Sequence, residues 1–213
     1  MVVAAEVSPI NSMTIGASYL RMDGDGSVRS TPFVLEHAPG TWTLRLLGDG
    51  YSRVGAGADA ASGWSDVSLF VARRYAIAED WILMPHVQLT LPSRSDAGSE
   101  HASQDVGLLS IHPISNSLTL LGAAVLVRGG PPEVGASRYA KVGLAGARYA
   151  WTDATFAVLM FRRSLTRGAG DTAANLELDF PVYHRIGGIL TASRGLTPGS
   201  RHRAIQFDLV FPF

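Results

Sequence analysis

Hydrophobic and polar residues alternate with a period of two along most of this chain. Runs rich in Val, Leu, Tyr, Phe and Thr follow one another, and Gly, Pro and Asp residues separate them. A period of two places successive side chains on opposite faces of a β-strand, whereas a helix requires a period of about 3.6 residues. The pattern therefore predicts strands along the whole chain.

Twelve of these runs are long enough to form strands that cross a membrane. Their lengths match the ~9–11 residues of a tilted transmembrane strand and exceed the ~5–6 residues usual in soluble sheets. No stretch approaches the roughly 20 unbroken apolar residues that a transmembrane helix needs. The predicted strands are 12–22, 28–36, 41–50, 64–77, 81–92, 103–112, 117–128, 138–150, 154–166, 172–182, 186–196 and 202–213.

The connections between these runs alternate between tight turns and longer polar, Gly-rich segments. Outer-membrane barrels have this layout, with short turns in the periplasm and long loops outside. We therefore predict an all-β fold, a transmembrane antiparallel up-and-down β-barrel of about 12 strands; a soluble up-and-down barrel is the alternative. The tight turns are 37–40, 78–80, 113–116, 151–153 and 183–185, and the longer segments are 23–27, 51–63, 93–102, 129–137, 167–171 and 197–201.

The predicted barrel forms a single domain over residues 1–213, in which 1–11 is a flexible N-terminal segment. The start lacks the charged region and apolar run of an export signal, but Val3-Ala4-Ala5 resembles the small-residue end of one. Both a native start and a start that follows a removed signal peptide stay open.

Composition and charge exclude several classes of function. Lys plus Arg balance Asp plus Glu, 18 against 18, so no basic field would attract nucleic acid. The charged fraction of 17% is low against a typical ~25%, which leaves few charges for a large wet surface. The sequence has no Cys, which excludes disulfides, thiolate metal sites and cysteine nucleophiles.

The last strand has the most specific pattern in the chain. Its apolar residues share one face, and Gln206 and Asp208 lie on the other. This resembles the C-terminal strand of outer-membrane proteins, which ends in Phe and is recognised by the barrel-assembly machinery. The predicted assembly signal is Ile205, Phe207, Leu209, Phe211 and Phe213.

Polar residues recur on what would be the inner face of several other strands. In 172–182, for example, Leu176 and Leu178 would face lipid, while Glu177 and Asp179 would face the lumen. In runs 117–128 and 154–163 both faces are apolar, which leaves their orientation undecided and makes a partly apolar lumen an alternative. The predicted lumen-lining residues are Arg45, Asp66, Arg74, His86, Lys141, Glu177, Asp179, Gln206 and Asp208.

Aromatic residues lie mostly near the predicted strand ends, where the interfacial girdle of a membrane barrel would be. Aromatic residues also occur in soluble cores, so the pattern adds modest support. The predicted girdle residues are Trp42, Tyr51, Trp64, Tyr75, Trp81, Tyr139, Tyr149, Trp151 and Tyr183.

Catalytic and metal-binding motifs are missing from the sequence. No Gly-x-Ser-x-Gly elbow and no His-Glu-x-x-His pair is present, and Asp23-Gly-Asp-Gly26 is too short for a calcium loop. We expect no catalytic residue, cofactor or metal. His86, His101 and His112 are predicted to be lumen, loop or rim residues.

In the central part of the chain Ser65-Asp66 begins one predicted strand, and Leu91-Pro-Ser93 ends the hairpin that follows. This arrangement resembles a family of outer-membrane transporters, the meta-pathway phenol-degradation family. In that family a Gly-Asp strand start leads to a hairpin that ends in Leu-Pro-Thr-Gly. Here Ser65-Asp66 and Leu91-Pro-Ser93 followed by Arg94 occupy the matching places, over roughly a quarter of the chain. The resemblance implies a barrel that carries small, aromatic or hydrophobic compounds.

Three functions are compatible with these patterns. The first is an outer-membrane channel or facilitator for small solutes, with hydrophobic or aromatic compounds as one class. The second is a structural or accessory barrel with an occluded lumen that binds a partner protein. The third is an outer-membrane lipid hydrolase, which would need a Ser and a His within hydrogen-bond reach on the lipid-facing wall. For a barrel of this kind, membrane lipid and the barrel-assembly machinery are the expected partners.

Overall fold

A computed structural model describes residues 10–21, 26–55, 61–129, 139–165, 171–197 and 202–213. No helix in this part of the chain is long and apolar enough to cross a membrane. Its regular elements are all strands: β1 (Ile10–Arg21), β2 (Ser27–Ser30), β3 (Phe33–Ala38), β4 (Trp42–Gly48), β5 (Tyr51–Val54), β6 (Ala61–Trp64), β7 (Val67–Arg73), β8 (Tyr75–Ala78), β9 (Trp81–Leu91), β10 (Ser103–Pro113), β11 (Leu118–Arg128), β12 (Tyr139–Ala150), β13 (Phe156–Ser164), β14 (Thr172–Tyr183), β15 (Ile186–Gly195) and β16 (Arg203–Pro212).

The strands form one sheet that closes on itself. Each pairs antiparallel with its neighbours, and β16 pairs with β1 from Ser12 opposite Pro212 to Arg21 opposite Arg203. β2 with β3, β4 with β5, and β6 with β7 and β8 each make one interrupted barrel strand. The prediction of a closed 12-strand antiparallel barrel is therefore confirmed. Closure removes the exposed sheet edges that would otherwise invite aggregation.

Three neighbouring barrel strands are broken at the same level, which the sequence pattern did not predict. The breaks lie at Thr31–Pro32, Asp49–Gly50 and Ser65–Asp66. Pro32 lacks a backbone donor, and Gly50 has a φ of 55°, so neither fits a regular ladder. Hydrogen bonds from Thr31 N to the Asp49 oxygen and from Ser65 N to the Gly50 oxygen join the breaks to one another.

Two predicted boundaries are corrected. The predicted loop 51–63 contains β5 and β6, which pair from Tyr51 opposite Trp64 to Val54 opposite Ala61. β1 begins at Ile10 instead of residue 12, because its first residues pair with β3 and Asn11 accepts a hydrogen bond from Phe213 N. Residues 1–9 of the predicted flexible segment lie outside the described residues.

The interior of the barrel is not a packed core. Among the described residues no large side chain is fully buried, and the buried apolar residues are Ala72, Met84, Val142 and Ala173. The buried polar residues on the same inner face are Ser30, Ser52, Ser68, His86 and Asp208. A filled barrel would bury large side chains at crystal-like density. This interior is a lumen with polar groups on its wall.

The outer surface is apolar between two rings of aromatic side chains. Ile15, Val106 and Leu176 in the middle of their strands are about half exposed. Tyr149 and Trp151 pack edge to face at the short-turn rim, and Tyr51 and Trp64 do so at the loop rim. Every predicted girdle residue is exposed. Such a surface suits lipid, since a contiguous apolar band in water would aggregate.

Candidate functional site: the barrel lumen

Most residues predicted to line the lumen lie on the inner face. Strand pairing places Glu177 on the same face as Val158, and Asp208 on the same face as Gly16. Asp66 precedes β7 and Arg74 follows it, and both border cavities inside the barrel. The remaining predicted residues on the inner face are Arg45, His86, Asp179 and Gln206.

Lys141 lies on the outer face, so its predicted lumen position is wrong. It pairs with Leu126, and its neighbour Val142 points inward and is buried. The alternation in β12 was correct, but its phase was reversed. Tyr139 and Tyr149, which belong to the aromatic rings, share the outer face with Lys141. A lysine near a strand end lies on a lipid-facing surface at modest cost, because its stem packs on apolar groups while the ammonium reaches the interface.

The strands of undecided orientation form an apolar inner wall. Pairing with β10 and β12 points Leu121 and Val125 of β11 inward and Leu120 outward. Pairing with β12 and β14 points Leu159 and Phe161 of β13 outward. The apolar wall consists of Leu109, Ile111, Leu121, Ala123, Val125, Val127, Val142, Leu144, Val158 and Met160.

Across the seam of the barrel, β14, β16 and β1 form a polar wall. Asp208 is 4% exposed and its Oδ2 accepts a hydrogen bond of 2.8 Å from Gln206 Nε2. Asp208 Oδ1 and Asp179 Oδ2 have no hydrogen-bond partner. A charged oxygen in a protein interior is costly unless water or a cation solvates it. The polar wall therefore requires either water or a solute in the lumen.

His86 and Asp105 mark the middle of the barrel on β9 and β10. The His86 ring lies 5.2 Å from the Phe70 ring, between centroids, and directly over Gly107. A Cβ at residue 107 would overlap that ring, so only glycine leaves room for it. Asp105 Oδ1 and His86 Nδ1 have no hydrogen-bond partner. Both groups add polar character to the edge of the apolar wall.

A lower cavity of about 280 Å³ lies toward the short-turn end. Arg45 forms an ion pair with Glu36, and its guanidinium lies 5.7 Å from the Phe70 ring centroid. Met84 and Arg74 also line this cavity. The lower cavity is thus lined by the ion-paired Arg45, the exposed Arg74 and apolar side chains such as Met84.

An upper cavity of about 430 Å³ lies under the segment 92–102, which we call the folded loop. Asp66 Oδ1 accepts hydrogen bonds of 2.9 Å from the backbone N–H groups of Ser93 and Ser99. The Ser95 hydroxyl donates to the Trp64 carbonyl oxygen. The cavity is bordered by Ala97, Gly98 and Ser99 of the loop and by inner-face residues such as Ser68, Thr90 and Gln206. Asp66 thus anchors a loop at the mouth of the lumen.

Several lumen residues were not predicted from the sequence. Glu36 is the partner of Arg45, and Arg162 pairs with Asp171 at 3.7 Å on the inner face. Arg148 also points inward, with its guanidinium 4.0 Å from the Phe156 ring centroid. Strand pairing is needed to place these residues, because their own strands carry polar or charged residues on both faces, as with Arg162 and Arg163 in β13. Asp105 lies in a segment of alternating polar and apolar residues, Gln104-Asp-Val-Gly-Leu108, so its place on the inner face could have been predicted.

Two kinds of side-chain group in the described ranges bear on catalysis and metal binding. No group of three or more His, Asp and Glu side chains there could hold a metal ion. His112 Nδ1 contacts the Asp80 carbonyl oxygen, and Trp81 Nε1 donates to Ser110 Oγ, so Ser110 and His112, which share the outer face of β10, each have a partner other than one another. The geometry is that of a lined passage.

Comparison of sequences finds no relative: no family model and no curated protein matches the chain. Solved structures match over nearly its whole length. An outer membrane channel from Pseudomonas putida F1 superposes with a TM-score of 0.72 at 14% identity, over 99% of this chain and 98% of that one. The KdgM porin in complex with disordered oligogalacturonate gives 0.69 at 10% identity, over 95% and 99%.

A more distant match bears on the hydrolase alternative. The outer membrane phospholipase A from Escherichia coli superposes with a TM-score of 0.51 at 11% identity, over 99% of this chain and 93% of that one. At these identities each likeness shows the fold alone. The chain has the fold of outer-membrane β-barrels.

Proposed function

We propose that this protein is a channel or facilitator for small solutes in the outer membrane of a Gram-negative bacterium. Its apolar outer surface between two aromatic rings suits that membrane, with the short turns in the periplasm and the longer loops outside. The channel and porin among its structural neighbours support the same assignment.

The observation that carries the proposal is the unfilled interior. No large side chain in the described part is fully buried, whereas a barrel that serves only as a scaffold would pack its interior. The unpartnered oxygens of Asp105, Asp179 and Asp208 also call for solvent inside. These features favour a passage over an accessory barrel with an occluded lumen.

The charges on the lumen wall favour cations over anions. The inner-face carboxylates of Asp105, Glu177, Asp179 and Asp208 take part in neither of the two ion pairs in the described part of the chain. Arg45 and Arg162 each have a carboxylate partner, so only Arg74 and Arg148 among the described lumen arginines lie outside the ion pairs, two cations against these four carboxylates. Rings and walls of Asp and Glu select cations in channels. The oligogalacturonate of the KdgM complex is therefore not proposed as a ligand here.

The apolar wall supports hydrophobic or aromatic solutes as one class of cargo. Leu121, Val125, Val142 and Leu144 lie together opposite the polar wall and would contact an aromatic ring. Ser65-Asp66 and Leu91-Pro-Ser93 resemble motifs of the meta-pathway transporter family. The apolar wall supports the proposal that this barrel carries the same class of compound as that family.

Liposome swelling tests the proposal directly. Proteoliposomes that hold the refolded barrel should swell in isotonic solutions of small sugars and amino acids faster than empty liposomes. Benzyl alcohol, added during the assay, should slow the swelling if aromatic compounds bind the apolar wall, and the anion benzoate should slow it less because the lumen carboxylates repel it. Refolding is checked beforehand by the heat-dependent gel shift of closed barrels. Swelling no faster than in empty liposomes would contradict the channel and leave the accessory barrel.

The described residues do not include the Ser–His pair that the hydrolase alternative requires. In the ranges that the structure covers, no Ser hydroxyl is hydrogen-bonded to a His ring, and Ser110 and His112 on the outer wall have other partners. A phospholipid-release assay with the purified barrel should show no activity above that of protein-free detergent micelles.

A further inference from the structure

Basic residues gather on the outer face of the barrel at its loop end. Each of them is exposed and lies at or near the end of its strand. Acidic residues of the described strands lie on the inner face instead: Glu36, Asp105, Glu177, Asp179 and Asp208. The outer basic belt consists of Arg21, Arg29, Arg53, Arg128, Lys141, Arg163, Arg194 and Arg203.

Like charges face each other within this belt. Arg203 of β16 pairs directly with Arg21 of β1 on one side and with Arg194 of β15 on the other. Directly opposed side chains have their Cβ atoms about 4.5–5.5 Å apart, and like charges in that position are destabilising. Neither ion pair of the described chain involves these three residues. We call Arg21, Arg194 and Arg203 the arginine triad.

The surface next to the triad is apolar on the side toward the middle of the barrel. Two residues further along their strands, Tyr19 and Ile205 share the outer face and are 39% and 53% exposed. Ala192 lies opposite Ile205 on the same face. A ligand at this place would therefore meet three cations at one end and the side chains of Ile205, Ala192 and Tyr19 at the other, where the Arg29 guanidinium lies 5.9 Å from the Tyr19 ring centroid.

Phosphate is the group that best matches the charged end. The planar guanidinium presents two parallel N–H groups that bind phosphate oxygens bidentately. The negative charge of one phosphate placed among several arginines also offsets the repulsion between them. A free phosphate ion would satisfy the charges but would leave Tyr19 and Ile205 unused. An amphipathic phosphate ester with acyl chains uses both parts of the surface.

We propose that the arginine triad binds the phosphate groups of lipopolysaccharide, with the acyl chains along Tyr19 and Ile205. The proposal rests on the proposed outer-membrane location, because the loop end then lies in the leaflet that holds this phosphorylated glycolipid. Bound lipid would stabilise the β1–β16 seam at which the barrel closes.

The test measures the thermal unfolding of the full chain in detergent with and without purified lipopolysaccharide. Lipid that binds only the folded barrel should raise the Tm by roughly 5–10 °C near saturation. The triple variant Arg21→Gln/Arg194→Gln/Arg203→Gln should lose at least half of that shift. The triple lysine variant should keep part of it. Arg73→Gln, which removes an exposed arginine on Trp42 at the opposite rim, is the matched control and should keep the full shift.

Three results of the unfolding test would overturn the lipid site. An equal Tm rise with inorganic phosphate, or with lipid A stripped of its phosphates, contradicts recognition of a phosphorylated lipid. A triple glutamine variant that is less stable than the wild type without lipid, while lipid stabilises neither, shows that loop carboxylates neutralise the triad. Ion conductance without a lipid-induced rise in Tm would contradict only the lipid site. A rise in Tm without conductance would contradict only the channel.

Discussion

Gly16 lies under the Asp208 side chain at the seam that closes the barrel. A Cβ at residue 16 would overlap Asp208 Oδ1 and the carbonyl oxygen of Phe207. We expect Gly16→Ala to destabilise the barrel by about 1–3 kcal/mol, since the backbone carbonyl cannot move aside without disturbing the pairing. Urea unfolding followed by tryptophan fluorescence measures this loss.

Gly122→Ala is the matched control for that substitution. The nearest atom to a Cβ there is the Leu144 carbonyl oxygen at 3.9 Å, an ordinary contact. Equal stability of the two variants would show that the Asp208 side chain does not pack against Gly16.

Charged residues on the two faces should differ in their effect on ion selectivity. Asp208→Asn and Asp179→Asn are expected to lower the ratio of potassium to chloride permeability, because they remove charge from the lumen wall. Lys141→Gln should leave the ratio unchanged, because Lys141 lies on the outer face. Reversal potentials across a KCl gradient measure the ratio. A larger effect of Lys141→Gln than of Asp208→Asn would contradict the assigned faces.

The position of Lys141 illustrates what alternation alone can predict about single residues. A period of two separates the faces of a strand, but it does not say which face is inside. In β14 and β16 the carboxylates identify the inner face, since burying Glu177, Asp179 and Asp208 in lipid costs far more free energy than exposing them to a wet lumen. In β12 each face carries one cation, Lys141 on the outside and Arg148 on the inside, so charge does not distinguish the faces, whereas the girdle positions of Tyr139 and Tyr149 mark the outer one.

At the scale of elements, the folded loop occupies a gap in the strand ladder. β9 ends at Leu91 opposite Val67, and β6 pairs with β5 but not with β9. Asp66→Ala removes the acceptor of two charge-assisted hydrogen bonds, each worth about 1.5–3 kcal/mol. We expect a loosened loop and stronger current fluctuations in single-channel recordings.

A disulfide should reverse that effect. A Cβ at residue 63 would lie 2.8 Å from the Ser95 Cβ, so a small shift of the loop allows Gly63→Cys and Ser95→Cys to bond. Added to Asp66→Ala, the oxidised pair should restore steady current and the reduced pair should not. Identical traces for Asp66→Ala and the wild type would show that the loop does not border the conducting path.

The C-terminal strand carries the proposed assembly signal and also closes the barrel by pairing with β1, and the two roles can be tested separately. We expect deletion of Phe213 to lower the amount of barrel in the outer membrane of cells, because the proposed assembly signal is incomplete. Refolding of the same variant from urea into detergent should proceed as in the wild type, since no assembly machinery takes part. Immunoblots of membrane fractions and gel shifts measure the two effects. A defect in both assays would assign Phe213 a structural role only.

The twelve barrel strands could be predicted because length and turn chemistry agree for all of them and alternation agrees for most, the exceptions being the runs 117–128 and 154–163. The breaks in the second, third and fourth barrel strands could not, because they depend on hydrogen bonds between neighbouring breaks, such as Ser65 N to the Gly50 oxygen. For the same reason β5 and β6 were hidden in a Gly-rich segment. Their pairing partners, not their own sequences, make them strands.

At the scale of the whole molecule, the fold sorts charges that cancel in the sequence. The chain has 18 basic and 18 acidic residues, yet the acidic residues of the described strands lie inside, together with Arg45, Arg148 and Arg162, while the outer basic belt lies outside. Inside, the polar wall of β14, β16 and β1 faces the apolar wall of β10–β13. This division would let a solute keep a charged group hydrated while its apolar part contacts hydrocarbon.

The most direct test of an open lumen is the conductance of single barrels in a planar lipid bilayer. The purified, refolded protein should insert with discrete current steps, and its reversal potential in a KCl gradient should show a preference for potassium. The combined variant Glu177→Gln/Asp179→Asn/Asp208→Asn should insert equally well and lose most of that preference. Insertion without current steps, with folded barrel verified in the same membrane, would contradict the channel.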